Sequence, residues 1–187
     1  MAQLGGIDAL LRSRHTITIR HQGREIGGRP EIALQSSRNL YQYFRADSEI
    51  VEADGDLPDS GNVISIYHGV PGNATWFGRD FRHPFSFTET ALELETSSGE
   101  KRRYEYALGM GAIFVSPLPD ERVEVVLWGY DPDGLQQASR LLPTTTGVGQ
   151  PDFVILSKDC AWKGAAGALA MGFFDYSWNM SATSFLS

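Results

Sequence analysis

The sequence predicts a single α/β domain over residues 1–187, with a mixed, mostly parallel sheet, flanking helices and an added β-hairpin. Three observations predict it. Arg122 to Leu156 reads strand, tight turn, helix, loop, strand, the order of a βαβ unit with a parallel pair. Thr16 to Tyr67 gives the same order a second time. Ala91 to Ala107 alternates apolar and polar residues on both sides of Ser98-Gly99, the pattern of a hairpin. Elements in that mixture fold as helices packed on a sheet.

Taken in order, Met1 to Arg14 carries Ile7, Leu10 and Leu11, a short helical pattern that would cover one edge of a core. Thr16-Ile17-Thr18-Ile19-Arg20 alternates as a half-buried strand does. A glycine-rich loop follows, Gly23 to Pro30, hinged at Gly27-Gly28. Ile32 to Asp47 is the strongest helix, with Ile32, Leu40, Tyr43 and Phe44 on one face and Tyr41 and Arg45 outside. Glu49 to Glu52 is either a short strand or the exit of that helix, and Ala53 to Gly61 is an acidic turn. Asn62 to Tyr67 is the next strand.

Residues 69–87 form an irregular, aromatic-rich loop with Trp76, Phe77, Phe81, Phe85 and Phe87 among glycines and prolines. Burial of Trp76, Phe81 and Phe85 would hold it to the body. Exposed instead, they would form an apolar patch that meets another domain. Beyond the hairpin, Ala112 to Val115 is a buried strand or one turn of helix, since a short apolar run fits both. Val123 to Leu127 is a buried strand ending at Gly129. Asp131 is placed as helix N-cap, with Pro132 at the first position and Asp133 in the first turn. Leu135, Ala138, Leu141 and Leu142 recur at helical spacing over Asp133–Leu142, Pro143 stops the helix, and Phe153 to Leu156 is the returning strand. Trp162 to Phe174 is rich in small residues and suits a short helix or a last strand.

Composition narrows function by exclusion. A formal charge of -7 argues against nucleic acid as partner, because phosphate binding needs a basic surface. The dense basic cluster Lys101-Arg102-Arg103 reads as the solvated face of a hairpin strand. One cysteine, Cys160, permits no intramolecular disulfide and no cysteine metal site. No apolar run approaches membrane-spanning length, and the N-terminal stretch lacks a signal-peptide apolar core. Two of the four asparagines, Asn73 and Asn179, lie in N-glycosylation sequons. They favour a secreted origin; a cytoplasmic one is the alternative.

The chemistry-bearing motifs are few. No G-x-S-x-G elbow is present, and the turn Gly129–Gly134 holds two aspartates and no serine. The same turn lacks G-x-G-x-x-G and the P-loop lysine, and its aspartates would repel phosphate. Asp54, Asp56 and Asp59 have a D-x-D spacing without the rest of a calcium loop. His15, His21, His68 and His83 are scattered, without the spacing of a zinc site. No metal and no cofactor is expected. Cys160, flanked by Lys158 and Lys163 but opposed by Asp159, reads as structural.

The runs GGIDALLRS…TIRHQG, NLYQYFRADSEIV…GNVISI, LPTTTGVGQPDFVIL and WKGAAGALAMGFFD resemble the C-terminal region of large secreted fungal proteins related to the S9 prolyl-oligopeptidase type of α/β-hydrolase. The resemblance covers Gly5 to Phe174. It implies an appended α/β region, extracellular, whose partner would be an upstream catalytic domain of the same parent protein. The nucleophile of that protein type belongs to the hydrolase portion, so no catalytic residue carries over.

Two functions follow. The first is a non-catalytic accessory or interaction domain of a secreted hydrolase-like protein. The second is a small α/β enzyme of hydrolase type with its site at the C-terminal ends of the strands, where open α/β sheets place ligands. Its catalytic candidates are His68, Asp131, Asp133 and Lys158, each just after a predicted strand.

Overall fold

Both strand–helix–strand passages enter one eight-stranded sheet, and a separate three-stranded sheet covers one of its faces. The computed structural model describes residues 6–12, 15–22, 29–52, 57–70, 83–142 and 150–187. A 3-10 helix, Gly6–Arg12, precedes the strand β1 (Ile17–His21), the helix α1 (Pro30–Phe44), β2 (Ser48–Glu52) and β3 (Val63–His68). The small sheet is β4 (Phe85–Phe87), β5 (Ala91–Glu95) and β6 (Lys101–Glu105). Then come β7 (Gly111–Pro117), β8 (Val123–Gly129), α2 (Pro132–Ser139), β9 (Phe153–Leu156), the short α3 (Cys160–Lys163), β10 (Ala168–Gly172) and β11 (Phe185–Leu186).

The order across the main sheet is β11-β10-β9-β7-β8-β3-β1-β2. β2, β1, β3 and β8 are mutually parallel. β7 runs against both β8 and β9, and β9, β10 and β11 continue antiparallel. The expected mostly parallel sheet is therefore half parallel and half antiparallel. The expected direct pairing of Val123–Leu127 with Phe153–Leu156 is also corrected, because β7 lies between them. The cause is local. Leu118 N–H donates to the Arg122 carbonyl across a tight turn, so β7 and β8 form a hairpin, and β9 pairs on the other edge of β7. Ala112–Val115, the run that fitted strand or helix, is the core of β7.

Each strand's alternation divides its side chains between two cores. Ile17, Ile19, Ile64, Ile66, Val123, Val125 and Leu127 face the side covered by α1, α2 and the 3-10 helix. Tyr67, Phe114, Val126, Trp128, Phe153 and Ile155 face the small sheet, whose Phe85, Leu92, Leu94 and Tyr104 complete a largely aromatic core. The hairpin thus lies over the sheet's face. Phe85 is buried as expected, but it belongs to β4, so the stretch to residue 87 is not wholly irregular. Trp76, Phe81 and Asn73 lie outside the described residues.

Helix α1 buries Ile32, Ala33, Ser36 and Leu40. Tyr43, expected on that face, is 56% exposed. A 15-residue helix is about 22 Å long, whereas the five-residue strands β1 and β2 span about 17 Å. Arg45, left-handed at φ 56, then ends the helix and lays its guanidinium over Tyr41. Asp131 caps α2 as its position implied, its Oδ1 accepting the Gly134 N–H at 2.8 Å. The helix closes at Ser139, and Leu141 and Leu142 sit in the turn beyond it.

Candidate functional site

A row of paired residues crosses four strands: His68 on β3 opposite Gly129 on β8, Gly129 opposite Gly111 on β7, and Gly111 opposite Leu156 on β9. Asp131 and Lys158 follow two residues beyond Gly129 and Leu156. Gly109 stands two residues ahead of Gly111 on the antiparallel strand. All four sequence-derived candidates therefore gather at one rim, the carboxyl ends of β3, β8 and β9. This is where open α/β sheets present ligand crevices. β1 leads through α1 to β2 on one side, while β3 lies on its other side, so the chain reverses direction of winding at this rim between β1 and β3.

The rim has two parts. In the first, His21, His68 and Asp131 follow Ile19, Ile66 and Leu127 by even steps, so they extend the same, helix-covered face of the sheet. His68 N–H donates to Gln22 Oε1 at 2.7 Å. Burial lowers the His68 pKa first, the Arg29 charge lowers it further, and Asp131 works the other way. His68 is thus biased towards the neutral imidazole, and its Nε2 is buried with no hydrogen-bond partner among the described residues. Asp131 is committed elsewhere. Its Oδ2 accepts the Gly109 N–H at 2.8 Å while Oδ1 caps α2. A carboxylate holding two backbone amides is a structural clamp, here tying the start of α2 to the turn before β7.

The second part is a pair of grooves that meet at Leu108 and Lys158. One, of about 400 Å³, is lined by Leu108, Asp133, Gln137, Arg140, Lys158 and Trp162. Leu108 is 74% and Trp162 80% exposed, an apolar pair that no core requires. Asp133 and Lys158 meet in this groove, and His68 and Asp131 do not line it. The link between the parts is Gly109, which lines the groove and holds Asp131. Close packing fixes this junction: a Cβ on Gly134 would stand 1.8 Å from the Met110 carbonyl oxygen.

Among the described residues, the rim offers no activated nucleophile. Ser157 Oγ donates to the Gly167 carbonyl and accepts the Asp159 N–H. Burial raises the Cys160 thiol pKa, the reverse of what a reactive thiolate needs. Among the described residues, no three His, Cys, Asp or Glu side chains stand together as metal ligands do.

Sequence reasoning missed a buried polar row on the opposite face. Arg20 pairs with Ser65 across β1 and β3, and the Ser65 hydroxyl donates to the Glu124 carboxylate. Arg20 and Glu124 are each 4% exposed. The signal was present: Arg20 ends the Thr/Ile alternation of β1, and Glu124 interrupts the otherwise apolar start of β8. Of the two sequons, Asn73 is outside the described residues. Asn179 is half-buried in a tight turn, its Nδ2 donating to Asp175 Oδ2 at 3.2 Å.

No family model matches the chain. It is similar to a protein described as an uncharacterized secreted protein of Arthroderma benhamiae, with 39% identity over 188 residues. That alignment takes in 97% of this chain and 20% of the relative. The chain spans about one fifth of the length of the curated relative it matches.

Proposed function

We propose that this chain is a non-catalytic interaction domain of a larger secreted protein. The observation that carries the reading is the rim itself: its best-placed carboxylate, Asp131, holds two backbone amides, while Leu108 and Trp162 stand exposed beside a groove. A catalytic rim needs a free acid or base next to a nucleophile. An interaction surface needs exposed apolar and aromatic anchors with a polar rim. Secretion is supported by the secreted relative, and membership of a larger protein by that relative's greater length. The sequence resemblance to S9-type hydrolases supports a finer form, in which the catalytic region lies elsewhere in the parent protein and this domain docks against it or its substrate. Incubation of the purified chain with p-nitrophenyl acetate and with Ala-Pro-p-nitroanilide tests the reading. Background rates are expected. Turnover that disappears in a Ser→Ala variant of this chain overturns it.

A second reading, a small hydrolase-type enzyme, is favoured by one observation: His68 and Asp131 extend the same sheet face within electrostatic reach of each other. His68, Asp131, Asp133 and Lys158 would be its working groups. Loss of measurable turnover in His68→Ala, with the fold intact, is the result it requires.

A further inference from the structure

The main sheet ends in an unpaired strand. Ile17 N–H donates to the Asp47 carbonyl. With the parallel β1–β2 register, that bond turns the main-chain groups of Glu49 and Val51 towards β1. Ser48, Ile50 and Glu52 must then turn their backbone N–H and C=O groups outwards. β2 is the last strand of its sheet, and no described residue bonds those groups.

Beside that edge α1 presents an exposed stripe. Leu34, Arg38 and Tyr41 recur at helical steps of four and three, so they share one face of α1, and all three are exposed. Ser37 accepts the Ser48 hydroxyl at 2.8 Å. Ser37 therefore lies over β2, between the buried residues Ile32, Ala33, Ser36 and Leu40 and the exposed stripe. The stripe must then flank the open side of β2. Ile50 continues its apolar surface, because it pairs with Ile19, faces the same helix-covered side and is itself exposed. Arg45 adds a second cation, held over the Tyr41 ring. Among the described residues, Arg38 and Glu52 form no ion pair.

We propose that β2 pairs with β2 of a second copy of this chain, antiparallel about Ile50, so that two eight-stranded sheets join into one. An open edge is a template for such pairing, and a two-fold axis closes the contact on itself. The outward groups of Ile50 bond those of Ile50 in the other copy, and Ser48 pairs with Glu52. No two glutamates stand directly opposite, since Glu49 meets Val51. On the helix-covered face the charges answer one another. Glu52 of one copy is set beside Ser48 of the other, below Ser37 and within reach of Arg38, which has no acidic partner in its own chain. Leu34 and Tyr41 of the two copies close over the Ile50 pair. A net charge of -7 on each copy opposes the approach, and the two Arg38–Glu52 pairs offset it at the contact. An unrelated strand would find the same main-chain groups without this match of side chains. The proposal goes beyond the interaction-domain reading, because β2 lies at the end of the sheet away from β7 and β9 and their groove.

Sedimentation equilibrium of the full chain over a concentration series tests it. A reversible monomer–dimer equilibrium is expected. Arg38→Glu and Glu52→Arg, both exposed changes, are each expected to weaken the dimer by more than about tenfold, because each sets like charges together. The double variant restores the pairs in reverse order and is expected to return to within about threefold of wild type. Ile50→Pro removes an outward N–H that β1 does not use, and is expected to abolish the dimer while the circular dichroism of the monomer stays unchanged. Amide exchange at Ser48, Ile50 and Glu52, followed by NMR, is expected to slow as concentration rises. A chain that stays monomeric to millimolar concentration overturns the proposal. So does a dimer indifferent to Arg38→Glu and Glu52→Arg, or a double variant that dimerises no better than either single one. These outcomes leave the interaction-domain reading standing, since turnover by the chain is what overturns that.

Discussion

Histidine 83 gives the most direct physical test of the aromatic core. The residue is half-buried overall, but its ring is walled by Phe85, Phe114 and Phe174 with centroids 5.4, 5.1 and 5.4 Å away. Phe85 N–H lies 3.3 Å from Nδ1, which must accept, so Nε2 carries the proton and donates to the Val115 carbonyl at 3.1 Å. Burial outweighs that bond and lowers the pKa from 6.5 to about 4. The unfolded chain therefore binds a proton below pH 6.5 that the folded chain refuses until about pH 4. Stability from this group is present above pH 6.5 and lost as pH falls through that window. A gap of this size corresponds to about 3 kcal/mol between pH 7 and pH 4. Urea unfolding of wild type and His83→Gln at pH 7, 6, 5 and 4 reads it as a difference. The subtraction cancels Asp152, whose carboxyl is raised by burial and acts in the opposite sense. The stability advantage of wild type should shrink by about 3 kcal/mol across the series. A constant difference, or a His83 ring resonance titrating at pH 6 or above, refutes the reasoning.

Asp131→Ala removes the cap of α2 and leaves the Gly109 amide without its acceptor; a loss of about 2 kcal/mol is expected by chemical denaturation. Gly134→Ala forces a methyl against the Met110 carbonyl at 1.8 Å. Backbone cannot yield as a side chain does, so about 2–3 kcal/mol should be lost, visible as a lower Tm, despite the better helix propensity of alanine. Tyr104→Phe deletes a buried hydroxyl that has no hydrogen-bond partner among the described residues, and a gain of up to about 1 kcal/mol is expected, where a loss would reveal a further partner. For Asn179, whose Nδ2 is held by Asp175, Asp175→Ala should raise glycan occupancy when the chain is secreted from a eukaryotic host, read by mass spectrometry.

Local pattern determined much of this protein. Alternation at Thr16–Arg20 placed β1, the apolar run at Val123–Leu127 placed β8, and Asp131-Pro132 placed the start of α2 to the residue, because caps, turns and periodicity act through neighbours in sequence. The same patterns put His68, Asp131, Asp133 and Lys158 after strand ends; parallel pairing brings the ends of β3 and β8 to one rim, and two antiparallel steps across β7 bring the end of β9 there too. What sequence could not decide was which apolar strands become neighbours. Ala112–Val115 fitted strand or helix, and only its hairpin with β8 inserted it between β8 and β9 and reversed half the sheet. Tyr43 had the right phase for burial, yet in the assembled layers it is exposed. Sequence placed Asp131 as the cap of α2, with chemistry the lesser alternative; the Gly109 amide, 22 residues away in sequence, adds a second backbone bond to that structural role. The open edge of β6 arises the same way. Any of these strands could have been central, and the covering of one face of the main sheet by three strands left the third without a neighbour. Pairing partners are set by long-range burial of both faces, a property of the assembled layers that no local window of residues contains.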